Sequence, residues 1–526
     1  MSSHPNASGR RSIALGALAF LLYVATLTGT YYPDGITFSL QIERFSESGG
    51  RWAPLFHQNH LLYSAVGYLI YEVAHALGVG LRALYILQIT NCAFGALSIA
   101  LFYRIVLRQT ASAKISTATS IGFAIAAGWW KMSTDADAYV ISVFLILVCL
   151  NFLLAARSQE LLAGLALSGA MLMHELAALF FLAALSLLLL QSSRKRKLVA
   201  STVFTLAAWM PTLAAYWVVS RATGIEGTKG AVEWALSTES GARLAFNPTR
   251  GFLLLPKANL DLIVGHSFAL FWHQLRWVEL LLAAVALVLL VAATVVAIRR
   301  FERTRAAKAF KSIRLGAGLV ARAPGEHRVA LMLFVWICVY LVFFLFWEPW
   351  QFYYRVFYLP ALAMLAGLLL SNHPSRDARQ PADTNLQPLT RTKVALMFLL
   401  GLGAFNLAFY ILPNTYSSSD RIVEAAKSAS SLWDENTSIY FLRRNEADTA
   451  FEYFNPRARW QRLGLENRRV IEDRLLSSLE RGERVWINRS VIDALDRGWI
   501  AAHASGRDIE ANAPNEPAHY LELSKL

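Results

Sequence analysis

The sequence predicts an all-α polytopic membrane protein of about 11 transmembrane helices, with outer juxtamembrane helices and a small α/β extracytoplasmic C-terminal domain. Three observations carry that expectation. The 526 residues are 56% hydrophobic and only 16% charged, with a mean hydropathy of +0.40, whereas soluble domains run near a quarter charged. Apolar runs of about 17–25 residues, each able to cross roughly 30 Å of hydrocarbon as a helix, recur from residue 12 to residue 413. From residue 414 onward the chain turns charged and carries no spanning run. The economical division is a transmembrane domain over 1–413 and an extracytoplasmic accessory α/β domain over 414–526.

The net charge of +14 does not point to nucleic acid. The positives fall in short connections: Arg104, Arg108 and Lys114; Arg194 to Lys197; and Arg299 to Arg328. Such clusters are what cytoplasmic loops carry. Cys92, Cys149 and Cys338 lie far apart inside apolar segments, so neither a disulfide framework nor a zinc site is expected. The stretch after MSSHPNASGRR runs to about residue 30 without a small-residue cleavage site. It reads as an uncleaved anchor with its amino end in the cytoplasm.

Charge parity orders the helices. With 299–328 inside, 329–347 goes out, 352–370 returns and 393–413 goes out again, leaving the tail outside. In the other direction, 277–298 runs inward and 221–276 is an outer loop. Residues 198–220 run outward from the Arg194–Lys197 cluster. The apolar run between Arg157 and that cluster has basic flanks on both sides, so it crosses twice and turns near His174 and Glu175 outside. Residues 138–156 run inward, Lys131 to Asp137 form an acidic outer loop, 115–130 run outward and 83–103 inward. Parity then favours placing 58–77, with His60, Glu72 and His75, on the outer surface; the rival is a true span, which would put Arg104, Arg108 and Lys114 outside against the usual charge bias. The tail shows strand patterns at 438–444 and 484–490 and helical patterns at 419–433 and 469–481. It lacks a glycine-rich phosphate loop.

Asp34 is the most informative single residue. It stands just beyond the first apolar run, in YYPDGITFSLQIERF, where a carboxylate marks the emergence of the chain from lipid. The same outer face gathers Glu43, His57, His60, Lys131, Asp135, Asp137, His174, Glu348 and Arg355. Acids beside histidines suit proton abstraction, a divalent cation, or both. Each has a plainer reading. Asp34, Asp135 and Asp137 are good helix caps; His57 and His60 can be interfacial hydrogen-bonders and His174 a turn residue. Arg355 can anchor at headgroup level, Glu348 can pair with it, and Trp347, Trp350, Tyr353 and Tyr354 form an aromatic belt.

The layout resembles the GT-C fold superfamily of polytopic glycosyltransferases, such as the protein O-mannosyltransferases and aminoarabinose transferases. The resemblance rests on an acid in the first outer loop, the acidic second loop with its tyrosine-led helix in WWKMSTDADAYV, and FWEPWQFYYRVFYLPAL. It covers roughly residues 12–370 and departs at His57-Gln58-Asn59-His60, where many members carry a histidine–proline–proline or glutamate-led motif. It implies a sugar moved from a polyprenyl-phosphate donor to a lipid, glycan or protein acceptor, with inversion. Asp34 would be the general base, and Arg355, Tyr354 and Lys131 would meet the phosphate. Asp135, Asp137, His57 and His60 would hold a divalent metal ion. The implied location is a bacterial inner membrane with an extracytoplasmic active site. A polysaccharide polymerase or ligase shares this layout. A transporter or lipid flippase would place ionisable groups near the midplane and show internal repeats, neither of which the sequence displays.

Overall fold

The computed structural model describes residues 5–50, 52–155, 159–190, 194–237, 248–265, 277–279, 281–292, 324–371, 387–416, 418, 420–464, 467–511 and 518–525. The chain is mostly helical with one five-stranded sheet. It separates into two compact units. One is made of Met1–Leu27, Ser48–Leu81 and Tyr85–Pro413; the other of Thr28–Glu47, Arg82–Leu84 and Asn414–Leu526. The segment that bears Asp34 therefore packs with the C-terminal residues.

Among the described residues of the chain, four helices are long and apolar enough to cross a membrane: Ala83–Thr110, Arg196–Ala222, Arg328–Phe346 and Val394–Thr415. Shorter apolar helices span Tyr139–Leu153, Glu160–Met173, Glu175–Leu189 and Leu359–Ser371. This is an integral membrane protein. The basic connections at 299–323 and 372–386, on which the parity argument leaned, lie outside the described residues.

Several helices differ in extent from the hydropathy pattern, for local reasons. The run at 115–130 is interrupted at Ala126, so one helix covers Ala113–Ile125 and a second Ala127–Ser133. The run at 352–370 becomes helical only from Leu359, because Tyr353–Phe357 form a 3-10 turn that folds Arg355 inward. His174 takes an extended conformation between the helix Glu160–Met173 and the 3-10 turn Glu175–Leu179. The helix Tyr63–Ala76 buries Tyr63, Ser64, Ala65 and Gly67. Leu69, Val73 and Leu77, exposed and spaced by four, form one apolar stripe.

The helices of this unit are tied by close approach and by buried polar pins. A Cβ on Gly164 would stand 2.6 Å from Ala207 Cβ and 2.7 Å from the Phe204 carbonyl oxygen, so only glycine lets those two helices meet. Tyr23 donates its hydroxyl to the Ala124 carbonyl at 2.9 Å, and Trp130 Nε1 donates to Thr26 at 2.8 Å. Asn406 Nδ2 donates to the carbonyls of both Ile125 and Ile263 at 2.7 Å. Burying an amide unbonded costs far more than one hydrogen bond returns, so such pins fix helix register.

In the second unit the strands are β1 Thr437–Phe441, β2 Arg459–Arg462, β3 Arg484–Asn488, β4 Ala504–Ala511 and β5 Ala518–Leu523. Their order is β2-β1-β3-β5-β4. β1 pairs in parallel with β2 and β3; β5 runs antiparallel to both β3 and β4. Side-chain alternation feeds two cores. Ile439 and Trp486 enter one with Trp433, Phe451 and Tyr520; Tyr440, Val485 and Ile487 enter the other with Ile471, Leu475 and Leu479. The helices Arg421–Ala429 and Glu446–Phe454 cover the first face and Arg468–Glu480 the second. The two strands and two helices read from the sequence lie here; β2, β4 and β5 are additional.

Candidate active site

In the membrane unit, the stretch expected as an open acidic loop is instead buried. Every residue from Phe123 to Val143 is buried, including Lys131, Asp135 and Asp137. What makes this tolerable is local pairing. Lys131 Nζ donates to Asp135 Oδ2 at 2.7 Å, one helical turn apart. The Ala136 N–H donates to Asp135 Oδ1 at 2.8 Å and the Ala138 N–H to Asp137 Oδ1 at 2.5 Å. From the helix Ala83–Thr110, Asn91 Nδ2 donates to the carbonyls of Asp135 and Asp137 at 2.7 and 2.6 Å, and Gln88 to that of Thr134 at 2.8 Å. Two amides one turn apart thus hold the whole 134–138 turn. Neither was singled out from sequence, since amides in an apolar run read as ordinary helix polarity.

A continuous aromatic and imidazole cluster adjoins. The segment carrying His57 and His60 docks through backbone bonds: Leu62 N–H to the Leu172 carbonyl at 2.9 Å and Glu175 N–H to that of Asn59 at 3.0 Å. The Tyr216 hydroxyl donates to the Gln58 carbonyl at 2.5 Å. His57 offers its carbonyl to the His60 N–H at 3.2 Å. The His60 ring meets His174 edge-on at 4.5 Å between centroids. His174 lies 4.7 Å from Tyr139, which stacks on Tyr353 at 5.9 Å. Burial, and then the neighbouring His60, push the His174 pKa well below 6.5, so the ring is neutral near pH 7. Its Nδ1 accepts from the Leu176 N–H at 3.1 Å, which leaves the proton on Nε2.

Arg355 is wholly buried. Its Nη2 donates to the Pro349 carbonyl, and its guanidinium carbon stands 5.2 Å from the Phe344 ring centroid. Burial lowers its pKa, while the Tyr358 hydroxyl and Asp261 raise it again. Asp261 is itself bridged to Lys257 at 2.7 Å, and Tyr358 donates to Asn259 Oδ1 at 2.5 Å. The Nε and Nη1 donors of Arg355 find no acceptor among the described residues. Lys257, Asn259 and Asp261 sit on the helix Pro248–Val264, in the segment read as a plain outer loop. The KANLD run did carry a Lys–Asp pair at helical spacing, which was the available signal.

Tyr354 packs against Trp347 and Tyr353, each at 4.5 Å between centroids. Glu348 faces Tyr354; burial raises its carboxyl pKa and the Tyr354 hydroxyl lowers it in part. Its φ of +41° is unusual for a side chain with a Cβ.

In the other unit, Asp34 lies in the first turn of the helix Pro33–Ser48. Pro33 occupies the first position, where a missing N–H costs nothing, so Asp34 is inside the helix rather than at its cap. Its charge faces the positive end of the helix dipole. Glu43, nine residues further along the same helix, is a clamp. Arg82 forks onto both its oxygens at 2.6–3.3 Å, and the Ala83 N–H and Tyr453 hydroxyl reach Oε1 at 2.9 and 3.1 Å.

The expected metal ligands are not drawn into one tight group of ligand atoms among the described residues. Asp135 holds an ammonium and a backbone N–H, and His57 and His60 are not brought with Asp135 and Asp137 into one ligand group. Among the described residues, the one group of three with all ligand atoms within 4.8 Å is Asp508, Glu510 and His519 on the β4–β5 hairpin. There His519 Nε2 lies 3.6 Å from Glu510 Oε1. Asp508 and Glu510 are exposed, and exposed groups of this kind are common without an ion.

No family model matches the sequence, and no curated protein matches it by sequence. The fold does have solved counterparts. ArnT from Cupriavidus metallidurans, in the apo state, superposes with a TM-score of 0.59 at 14% identity, over 97% of each chain. The same protein bound to undecaprenyl phosphate gives 0.58 at 12% identity, again over 97% of each chain. The architecture is the GT-C fold.

Proposed function

We propose that this chain is a membrane glycosyltransferase. It takes a sugar from a polyprenyl-phosphate donor and passes it, with inversion, to an extracytoplasmic lipid, glycan or protein acceptor. The observation that carries this reading is Arg355. A guanidinium buried with two donors unengaged, and with the nearby carboxylate spent on Lys257, is a costly arrangement. It is suited to a doubly charged phosphate, whose oxygens match the guanidinium fork. That a protein of the same fold was solved with undecaprenyl phosphate supports the same chemical class of donor.

In this reading Arg355 stabilises the negative charge that develops on the departing phosphate, and Tyr354 lines the approach. Lys131 is bridged to Asp135, so its charge is already matched and Arg355 carries the main electrostatic share. Asp34 accepts the proton of the acceptor hydroxyl or amine as that group attacks the anomeric carbon. The isoprenoid chain runs along apolar helix surface. The site opens to the outer side of a bacterial inner membrane.

The test compares cells making the native chain, Asp34→Asn and Arg355→Met, with membrane insertion checked for each. Mass spectrometry reads polyprenyl-phosphate sugars and surface glycans. Loss of one glycan modification with build-up of one lipid-linked monosaccharide is expected in both variants. Unchanged glycans in Asp34→Asn remove that residue as base; unchanged lipid-linked sugars in both variants defeat the transferase reading.

A further inference from the structure

We propose that a cleft in the second unit, between edge strand β2 and the helix Arg468–Glu480, binds a saccharide carrying a phosphate or a carboxylate. The cleft holds about 370 Å³ and is lined by Tyr440, Gln461, Arg462, Arg474, Ser478 and Arg481, with Asp473 also on its wall. That volume lies within the range of small-molecule sites, about 300–1,000 Å³.

The site follows from sequence register. β2 is the outermost strand beside β1, and Tyr440 pairs with Gln461, so the two present adjacent side chains on one face. On the helix, Val470, Arg474, Ser477 and Arg481 recur at four, three and four residues, which places them on one stripe. The apolar side of that helix, Ile471, Leu475 and Leu479, is buried against the sheet. That stripe, polar apart from Val470, is thereby left facing β2 across the cleft.

The cleft is polar and partly pre-organised. The Tyr440 hydroxyl and Ser478 Oγ lie 2.6 Å apart. Arg481 is fixed by donating to Ser478 Oγ at 2.8 Å and to Glu483 at 3.1 Å. Arg462 has no carboxylate partner among the described residues. This concentration of guanidinium is local, because residues 414–526 carry 16 Lys and Arg against 18 Asp and Glu. Guanidinium groups match phosphate and carboxylate oxygens. A bare anion would be served by the arginines alone. Asp473 and the Gln461 carbonyl add acceptors, and these suit the hydroxyls of a sugar ring. The same phosphate chemistry occurs in a lipid headgroup and in free phosphate, so the probes must separate the three. Nothing in the inference depends on the transfer reaction or on Asp34 and Arg355.

The test uses the purified full chain in detergent and isothermal titration calorimetry. The probes are glucose 6-phosphate, glucuronate, glucose, glycerol 3-phosphate as the lipid-headgroup mimic, and inorganic phosphate. Saturable binding of glucose 6-phosphate or glucuronate is expected, at least about tenfold tighter than glucose, glycerol 3-phosphate or inorganic phosphate. Arg462→Ala with Arg474→Ala should weaken it about tenfold or more. Both side chains are exposed, so unfolding is not anticipated, and an unchanged melting curve checks this. Arg462→Lys with Arg474→Lys keeps the charge and should retain part of the affinity. Equal binding of glycerol 3-phosphate or inorganic phosphate overturns the saccharide assignment. So does binding that survives the alanine pair, or the absence of saturable binding by either acidic sugar.

Discussion

The Tyr453 hydroxyl donates to Glu43 Oε1 at 3.1 Å and accepts the Leu84 N–H at 3.2 Å. Arg82, which forks onto Glu43, lies 3.7 Å above the Tyr453 ring. The preceding residue, Glu452, is buried between Arg44 and Arg444. Two adjacent residues of one helix thus tie three separate chain segments into one unit, and one of those segments carries Asp34. Tyr453→Phe keeps the ring but leaves the Leu84 N–H and a Glu43 oxygen short of a partner. It should cost about 1–3 kcal/mol, read as an earlier unfolding transition of the purified chain.

His174 sets an acid limit. The folded state holds its pKa well below the ordinary 6.5. As pH falls below about 6.5, the unfolded chain gains a proton that the folded chain refuses, so stability is lost; above that pH the group contributes nothing. Unfolding measured from about pH 7.5 to about pH 5 should show this fall. His174→Gln should flatten it, and an undiminished slope in that variant would assign the effect to other groups.

Glu348 sits at φ +41°, a conformation that costs a residue with a Cβ roughly 1 kcal/mol. Glu348→Gly should therefore be more stable than Glu348→Ala by about that amount. If the carboxylate beside Tyr354 serves the reaction, both variants lose transfer alike. A gain in stability accompanied by loss of activity would show backbone strain maintained for function; equal melting of the two variants would disprove the strain.

Lys131 and Asp135 form a buried pair, and removing one member strands the other. Lys131→Met should cost about 3–5 kcal/mol, and adding Asp135→Asn should recover much of it. Comparing the thermal transitions of the single and double variants measures the coupling. If Lys131 only neutralises Asp135, transfer returns with stability in the double variant. If it also touches the donor phosphate, transfer stays low.

Membrane character was legible from apolar runs, because a helix in lipid must satisfy its own backbone and therefore needs an uninterrupted stretch. The two central strands of the tail were legible as well, since their alternation feeds two opposite cores. Edge strand β2 was not: Arg459-Trp460-Gln461-Arg462 has one apolar residue and takes its conformation from pairing with β1. The acidic 131–137 stretch looked like a solvated loop because sequence shows charges but not who neutralises them. Lys131 neutralises Asp135 from one turn away, and Asn91 and Gln88, more than forty residues off in the chain, hold the backbone carbonyls that let the turn be buried.

By itself the sequence determined which segments are apolar, where the charged tail begins, and that acids, histidines and an arginine with aromatics recur at segment ends. Those are properties of residue type and local spacing. Tertiary structure alone decided that Asp34 folds with the C-terminal sheet, that Glu43 is a clamp, and that Arg355 is buried beside an aspartate already spent on Lys257. Each depends on partners distant in the chain, and burial and pairing are set by packing that no local pattern encodes.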